Sequence, residues 1–129
     1  MKSITLLIAL CALSFTSCEK IAGPGGSSTI IGKVYIIDKN AGGTVVAEGN
    51  GQKVDVFIVY GEDGVAYDDD VQTSYDGTFK FENLEPGKYT VFLYEDCNTC
   101  VGGKQALVYP VEITEKKSTV DLGTLTIIE

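Results

Sequence analysis

The 129-residue chain contains no histidine, no arginine and no tryptophan, and only three prolines and four cysteines. Without histidine the commonest general base is absent, and no Ser-His-Asp, Cys-His or paired-carboxylate arrangement can be assembled. All ten basic residues are lysines and are opposed by 18 acidic residues, so the formal net charge is −8. Nucleic acids and phosphates need clustered cations and favour arginine. The composition therefore predicts a protein that is not an enzyme, needs no cofactor and does not bind nucleic acid.

The N-terminus has the layout of a secretory signal peptide. A single lysine, Lys2, precedes an apolar run over residues 4–13. That run is too short for a permanent membrane helix, which needs about 20 residues.

The segment Phe15-Thr16-Ser17-Cys18 resembles the lipobox of bacterial lipoproteins, with Phe15 where an aliphatic residue is usual. The resemblance implies that residues 1–17 are removed and that Cys18 is lipidated and anchors the chain in a membrane. By the same resemblance, Glu19 after the cysteine implies delivery to the outer membrane, on its periplasmic face or at the cell surface. The alternative is an ordinary signal peptide with an incidental cysteine.

After the predicted lipid site, residues 18–28 are rich in glycine and serine and predict a flexible tether. Residues 29–129 show short runs of β-branched and aromatic residues separated by glycine or aspartate, and no window has helical spacing. This pattern predicts one all-β domain, an antiparallel β-sandwich of about seven strands. Residues 53–60 are apolar on both faces and predict a central strand, whereas residues 44–47 predict an edge strand.

Residues 76–91, Asp-Gly-Thr-Phe-Lys-Phe-Glu-Asn-Leu-Glu-Pro-Gly-Lys-Tyr-Thr-Val, resemble the signature of carboxypeptidase regulatory-like domains, which are transthyretin-like (prealbumin-like) β-sandwiches. The sequence Tyr-Asp-Gly-Thr at 75–78 predicts a tight hairpin. In the resembled motif the chain turns, fills the core and ends in a tyrosine corner, where a buried ring bonds backbone through its hydroxyl. These are fold residues and specify no chemistry. They are Asp76, Gly77, Phe79, Phe81, Leu84, Pro86, Gly87 and Tyr89.

The related Cna-B adhesin domains close a Lys to Asn or Asp isopeptide bond with help from a buried glutamate. Lys33 lies on a suitable strand, but Leu93 occupies the position expected for the glutamate. An isopeptide bond is therefore disfavoured.

Cys97 and Cys100 form a Cys-x-x-Cys pair at a predicted hairpin tip. The other two cysteines belong to the signal peptide or carry lipid, and an oxidising compartment favours a disulfide between the remaining two. A redox pair usually relies on a helix N-terminus to activate its thiol, and this pair follows two acidic residues instead. Zinc usually takes four Cys or His ligands. A structural disulfide is the favoured prediction, with redox and metal roles as alternatives.

Two further groups of residues are weaker candidates for binding. The run Asp68, Asp69 and Asp70, with Glu62 and Asp63 nearby, could supply oxygens to calcium, but surface acid runs are usually solvated. Tyrosines are the second group and could form a stacking platform for carbohydrate, although β-sandwiches also use tyrosine for packing alone. The tyrosines concerned are Tyr60, Tyr67, Tyr75, Tyr94 and Tyr109.

Taken together, the sequence predicts a non-catalytic outer-membrane lipoprotein that acts as a binding or structural module of the envelope. Its partners are then the membrane, through the lipid anchor, and a protein or glycan of unknown identity. A surface adhesin or glycan-binding component is one alternative. A periplasmic thiol-disulfide protein that uses Cys97 and Cys100 is another.

Overall fold

The computed structural model describes residues 21–62 and 66–129, which form an all-β fold of two packed four-stranded sheets. The predicted signal peptide and Cys18 lie outside the described residues. Within the described part there is no helix long and apolar enough to span a bilayer. The strands are β1 (Pro24–Lys39), β2 (Val45–Asn50), β3 (Asp55–Tyr60), β4 (Asp69–Gln72), β5 (Thr78–Leu84), β6 (Gly87–Asp96), β7 (Lys104–Ile113) and β8 (Thr119–Ile128).

Strand β1 is the centre of the first sheet. Ile30, Ile31 and Lys33 pair with both β5 and β8, and residues 35–37 pair with both β2 and β8. Strands β5 and β2 therefore share one edge of β1, and β8 occupies the other. The pairing of β1 with β8 is parallel, whereas the sequence predicted an antiparallel sandwich.

The second sheet has the order β4-β3-β6-β7 and is antiparallel throughout. Strand β3 is internal and β2 is an edge strand of the first sheet, so both predictions are confirmed. The described residues form eight strands, one more than predicted, because Asp69–Gln72, which overlaps the end of the acidic run, pairs with β3 as strand β4.

Apolar side chains from both sheets meet in one core, as the two-residue period of each strand requires. The core-filling residues of the resembled motif, Phe79, Phe81 and Leu84, are all buried there. On β1, Ile30 and Val34 are fully buried, and Gly32 between them leaves room for the Phe79 ring. The other core residues are Val56, Ile58, Tyr89, Val91, Leu93, Val111, Ile113, Leu125 and Ile127.

Tyr89 forms the predicted tyrosine corner and is only 1% exposed. Its hydroxyl donates to the Glu85 carbonyl oxygen at 2.6 Å and accepts from the Gly23 amide at 2.9 Å. The Glu85 amide in turn donates to the Gly23 carbonyl at 2.9 Å. Burial raises the pKa of the Tyr89 hydroxyl, which keeps it protonated and able to donate.

The predicted tether is wrong for residues 24–28, because they form the beginning of β1. Ser28 is fully buried, and its hydroxyl donates to the Glu115 carbonyl oxygen at 2.9 Å. Gly26 lies so close to the Leu84 backbone that any side chain would collide with it. The small residues that suggested flexibility are thus required by close strand packing.

The predicted turn at 75–78 is present, but it is not a hairpin. The Asp76 carboxylate accepts from the Thr78 hydroxyl at 2.7 Å and from its amide at 3.1 Å, which lowers the pKa of Asp76. The strands on either side, β4 and β5, lie in different sheets, so this turn carries the chain across the sandwich. The Pro86-Gly87 corner carries it back, from β5 to β6.

Gly77→Ala should destabilise the domain by at least about 1 kcal/mol more than Gly43→Ala, because an overpacked site adds to the cost of left-handed backbone. Both glycines have a φ slightly above +80°, but only at Gly77 would the added methyl meet other atoms, including the Val34 carbonyl oxygen. Urea denaturation of the two variants measures the difference. Equal midpoints would show that the turn does not pack as described.

Candidate functional site

The outer face of the second sheet carries exposed aromatic side chains. On β6, Tyr89, Val91 and Leu93 point into the core, so Phe92 and Tyr94 point outward. Phe57 of β3 lies directly opposite Phe92 in the register. The neighbouring central strands thus place their aromatic residues on one surface.

Four rings form a continuous group, which we call the aromatic cluster: Phe57, Tyr67, Phe92 and Tyr94. Phe57 stacks on Phe92 with ring centres 5.1 Å apart, and its ring lies 4.8 Å from that of Tyr67. Tyr94 meets both phenylalanines edge-on, at 5.8 Å from each. These separations are typical of favourable ring pairs.

The aromatic cluster is accessible to solvent mainly through its two tyrosines, whereas Phe57 and Phe92 are half-buried. Tyr67 is 52% exposed and Tyr94 is 48% exposed, and Val108 beside Phe92 extends the apolar surface across β7. Clustered exposed apolar side chains of this kind are typical of binding surfaces, whereas scattered ones need no explanation.

A groove of about 510 Å³ adjoins the aromatic cluster, and Phe57 and Tyr94 line it. Its rim carries donors and acceptors from Gln52, Asp55 and Lys104. The Gln72 amide donates to the Asp55 carboxylate at 3.1 Å and so orients it. The combination of ring faces with a few polar groups is the usual composition of a small-ligand site.

Lys104 also forms an ion pair with Asp96, at 2.6 Å between Nζ and Oδ1. The hydrogen bond from this carboxylate raises the pKa of Lys104. Both side chains are substantially exposed, so the pair contributes little to stability. Its effect is to fix two polar groups at the edge of the groove.

A larger groove, of about 710 Å³, lies over the first sheet but offers no exposed ring. Lys33, Lys80 and Asp121 line it, and the only aromatic residue among its lining, Phe79, is buried. Lys33 therefore faces this groove, whereas Leu93 lies in the core.

Cys97 and Cys100 are disulfide-bonded, with their Cα atoms 5.3 Å apart. They lie at the tip between β6 and β7, as predicted, where the Cys97 amide donates to the Gly103 carbonyl at 2.8 Å. A single 3₁₀ turn, Val101–Gly103, follows the pair. Asn98, Thr99 and Val101 project from this stapled tip into solvent.

The predicted tyrosine platform is only partly formed. Tyr67 and Tyr94 belong to the aromatic cluster, but Tyr60 packs edge-on against Tyr89, and Tyr109 is half-buried on the inward side of β7. Tyr75 is 81% exposed on the turn before β5, outside the cluster. Phe57 and Phe92 were not predicted to join this platform, although they alternate in the sequence with the inward-facing Val56, Ile58, Val91 and Leu93.

The acidic run is divided between a loop and a strand. The Asp68 carboxylate accepts from the Tyr60 amide at 2.7 Å, and Asp69 and Asp70 begin β4. Glu62 forms an ion pair with Lys88 at 3.5 Å, while Asp63 lies outside the described residues. Within residues 21–62 and 66–129, no group of three or more Cys, Asp or Glu side chains is placed to hold a metal ion.

No protein-family model matches the chain. No curated protein matches it either. Among solved structures it is similar to a Pseudomonas aeruginosa protein that has been proposed to bind carbohydrate. The two share 13% identity, with a TM-score of 0.48, over 84% of this chain and 92% of the other. A likeness this distant carries no inference about function.

The double substitution Cys97→Ser and Cys100→Ser should lower the unfolding free energy by about 2 kcal/mol, through the lost constraint on the unfolded chain. The fold should persist, because β6 and β7 remain paired over ten residues. Urea denaturation followed by circular dichroism tests both points. In the unmodified protein, alkylation of these cysteines without a reductant would contradict a structural disulfide.

Proposed function

We propose that this chain is a non-catalytic lipoprotein of the outer membrane, whose β-sandwich binds glycan through the aromatic cluster and the groove beside it. The observation that carries the proposal is the continuous outward surface of Phe57, Tyr67, Phe92 and Tyr94. Apolar faces of sugar rings stack on aromatic side chains, and sugar hydroxyls need donors and acceptors at the rim of the site. Exposed ring faces and polar rim groups occur together at the groove beside the aromatic cluster, whereas the groove over the first sheet has no exposed ring.

The charges around the groove favour a neutral ligand. The groove is lined by two lysines, Lys53 and Lys104, and by two acidic residues, Asp55 and Glu129, so neither sign dominates within it, whereas the whole chain has a formal charge of −8. A sulfated or uronic-acid glycan would be repelled by that field. The acid–lysine pair at Asp96 and Lys104 can instead donate to and accept from neutral hydroxyls.

Anchoring is proposed on the resemblance of residues 15–18 to a lipobox. The absence of histidine supports a non-catalytic role. We further propose membership of the transthyretin-like group of carboxypeptidase regulatory-like domains, on the resemblance of residues 76–91. The buried Tyr89 with its hydroxyl bonded to backbone agrees with that assignment.

Tyr94→Ala should weaken binding of neutral oligosaccharides by about two- to tenfold, because stacking contributes about 0.5–1.5 kcal/mol to the binding free energy. Tyr75→Ala is the matched control, since that tyrosine is exposed but lies outside the aromatic cluster. A glycan array followed by calorimetry measures the effect. Equal losses in the two variants, or no binding of any glycan by the native protein, would contradict the proposal.

Cys18→Ser should release the protein from the membrane fraction, because the acyl chains that hold it there can no longer be attached. Cys11→Ser is the matched control, since Cys11 lies within the predicted signal peptide and should not affect anchoring. Fractionation and mass spectrometry of the N-terminal peptide read out both variants. A native peptide without acyl mass would contradict anchoring at Cys18.

A further inference from the structure

The sandwich has two chemically different ends, and β6 runs from one to the other. Gly87, at the start of β6, lies beside Ala22 and the Tyr89 corner; we call this the proximal end. Asp96, at the end of β6, adjoins the disulfide tip; we call this the distal end. Ten residues of strand separate the two ends, which corresponds to a length of about 30 Å.

Gly23 is held at the proximal end by both of its backbone polar groups. Its amide donates to the Tyr89 hydroxyl at 2.9 Å, and its carbonyl accepts from the Glu85 amide at 2.9 Å. Ala22, one residue earlier, packs against the core. The chain is thus fixed to the domain from this point onward, earlier than its glycine-rich composition suggested.

Only five peptide units connect Cys18 to Gly23. At full extension they span at most about 18 Å, which is well short of the length of β6. A lipid-anchored Cys18 can therefore reach the proximal end but cannot run alongside the domain to the distal end. The domain cannot invert while Gly23 stays bound.

We infer that the domain stands on the lipid surface with its proximal end toward the membrane and presents the distal end to its ligand. This inference rests on the lipid anchor proposed above. At the distal end lie the stapled tip with Asn98 and Thr99, the groove lined by Tyr94 and Lys104, and a second groove of about 370 Å³. The ion pair joins them, since Lys104 lines the first groove and Asp96 lines the second. A glycan end approaching along the membrane normal meets these grooves first.

Energy transfer to a membrane dye tests the orientation in the intact lipoprotein, purified and reconstituted in vesicles. Single cysteines replace Lys116 at the proximal end or Ala41 at the distal end and carry the donor. The native disulfide and the acylated Cys18 do not react with the label. We expect transfer at least about twofold more efficient from position 116 than from position 41, because of the length of the sandwich. Equal transfer from the two positions would overturn the inference.

Two variants separate the effect of the hydrogen bonds that hold Gly23 from the effect of the short segment between Cys18 and Gly23. Tyr89→Phe removes the hydroxyl that holds Gly23 and should reduce the difference between the two label positions, whereas Tyr75→Phe should not. An insertion of ten glycine and serine residues between Lys20 and Ile21 lengthens the connection to Cys18 but leaves the hydrogen bonds of Gly23 intact. It should also reduce the difference in transfer between the two label positions. If the difference in transfer persists after the insertion, the short connection between Cys18 and Gly23 does not set the orientation.

Hydrogen exchange distinguishes failure of this inference from failure of the proposed function. In the same protein in detergent, the peptide 21–28 should be protected, and Tyr89→Phe should remove much of that protection. If this peptide of the native protein exchanges at the rate of an unfolded chain, Gly23 is not held to the domain as described. An unacylated Cys18 would overturn the membrane orientation together with the proposed anchor, whereas equal transfer from an acylated protein overturns the orientation alone.

Discussion

The hydroxyl of Tyr89 is the interaction on which the rest of the structure depends most. It binds the Glu85 carbonyl, which follows β5 of the first sheet, and the Gly23 amide, which precedes β1. Tyr89 itself belongs to β6 of the second sheet. Its side chain therefore connects the second sheet to the end of β5 and to the segment that leads into β1. A buried hydroxyl that satisfies two backbone groups is costly to remove, since each group would be left without a partner. The same bonds decide where the domain begins and how far any anchor can reach.

Strands β3 and β6 have apolar residues on both faces, and the two faces serve different purposes. The inward residues, such as Ile58, Val91 and Leu93, complete the core with the first sheet. The outward residues, Phe57 and Phe92, have no second layer over them and associate with Tyr67 and Tyr94 instead. Water around such rings is displaced favourably by an apolar ligand surface. The surface therefore suits ligand binding without any change in the fold.

Most of the fold was predictable from the sequence, because strand period and turn chemistry are local properties. The closing strands, the disulfide tip and the burial of Phe79, Phe81, Leu84 and Tyr89 follow from such signals. Two errors share a cause, which is that composition does not report pairing. Residues 24–28 suggested a tether but belong to β1, where Pro24 and Ser28 pair with Leu84 of β5. The acidic run gave no sign of a strand, but Asp69 and Asp70, although exposed, pair with β3. The predicted hairpin at 75–78 failed for a related reason, since a turn does not reveal whether its strands share a sheet.

The candidate site was less predictable, because it depends on which strands become neighbours. Tyr67 and Tyr94 were predicted as binding residues, but their association with Phe57 and Phe92 requires the register between β3 and β6. The groove needs residues that are far apart in the sequence, from Gln52 to Glu129. Lipid anchoring and localisation remain predictions that rest on the first 19 residues.

The most direct test of the account is a titration of the isotope-labelled protein with neutral oligosaccharides, followed by aromatic NMR resonances. The account predicts that the rings of Phe57, Phe92 and Tyr94 shift together with increasing ligand while the ring of Tyr75 does not. Shifts confined to other residues, or none at saturating concentrations, would contradict the assignment of the aromatic cluster as the binding surface.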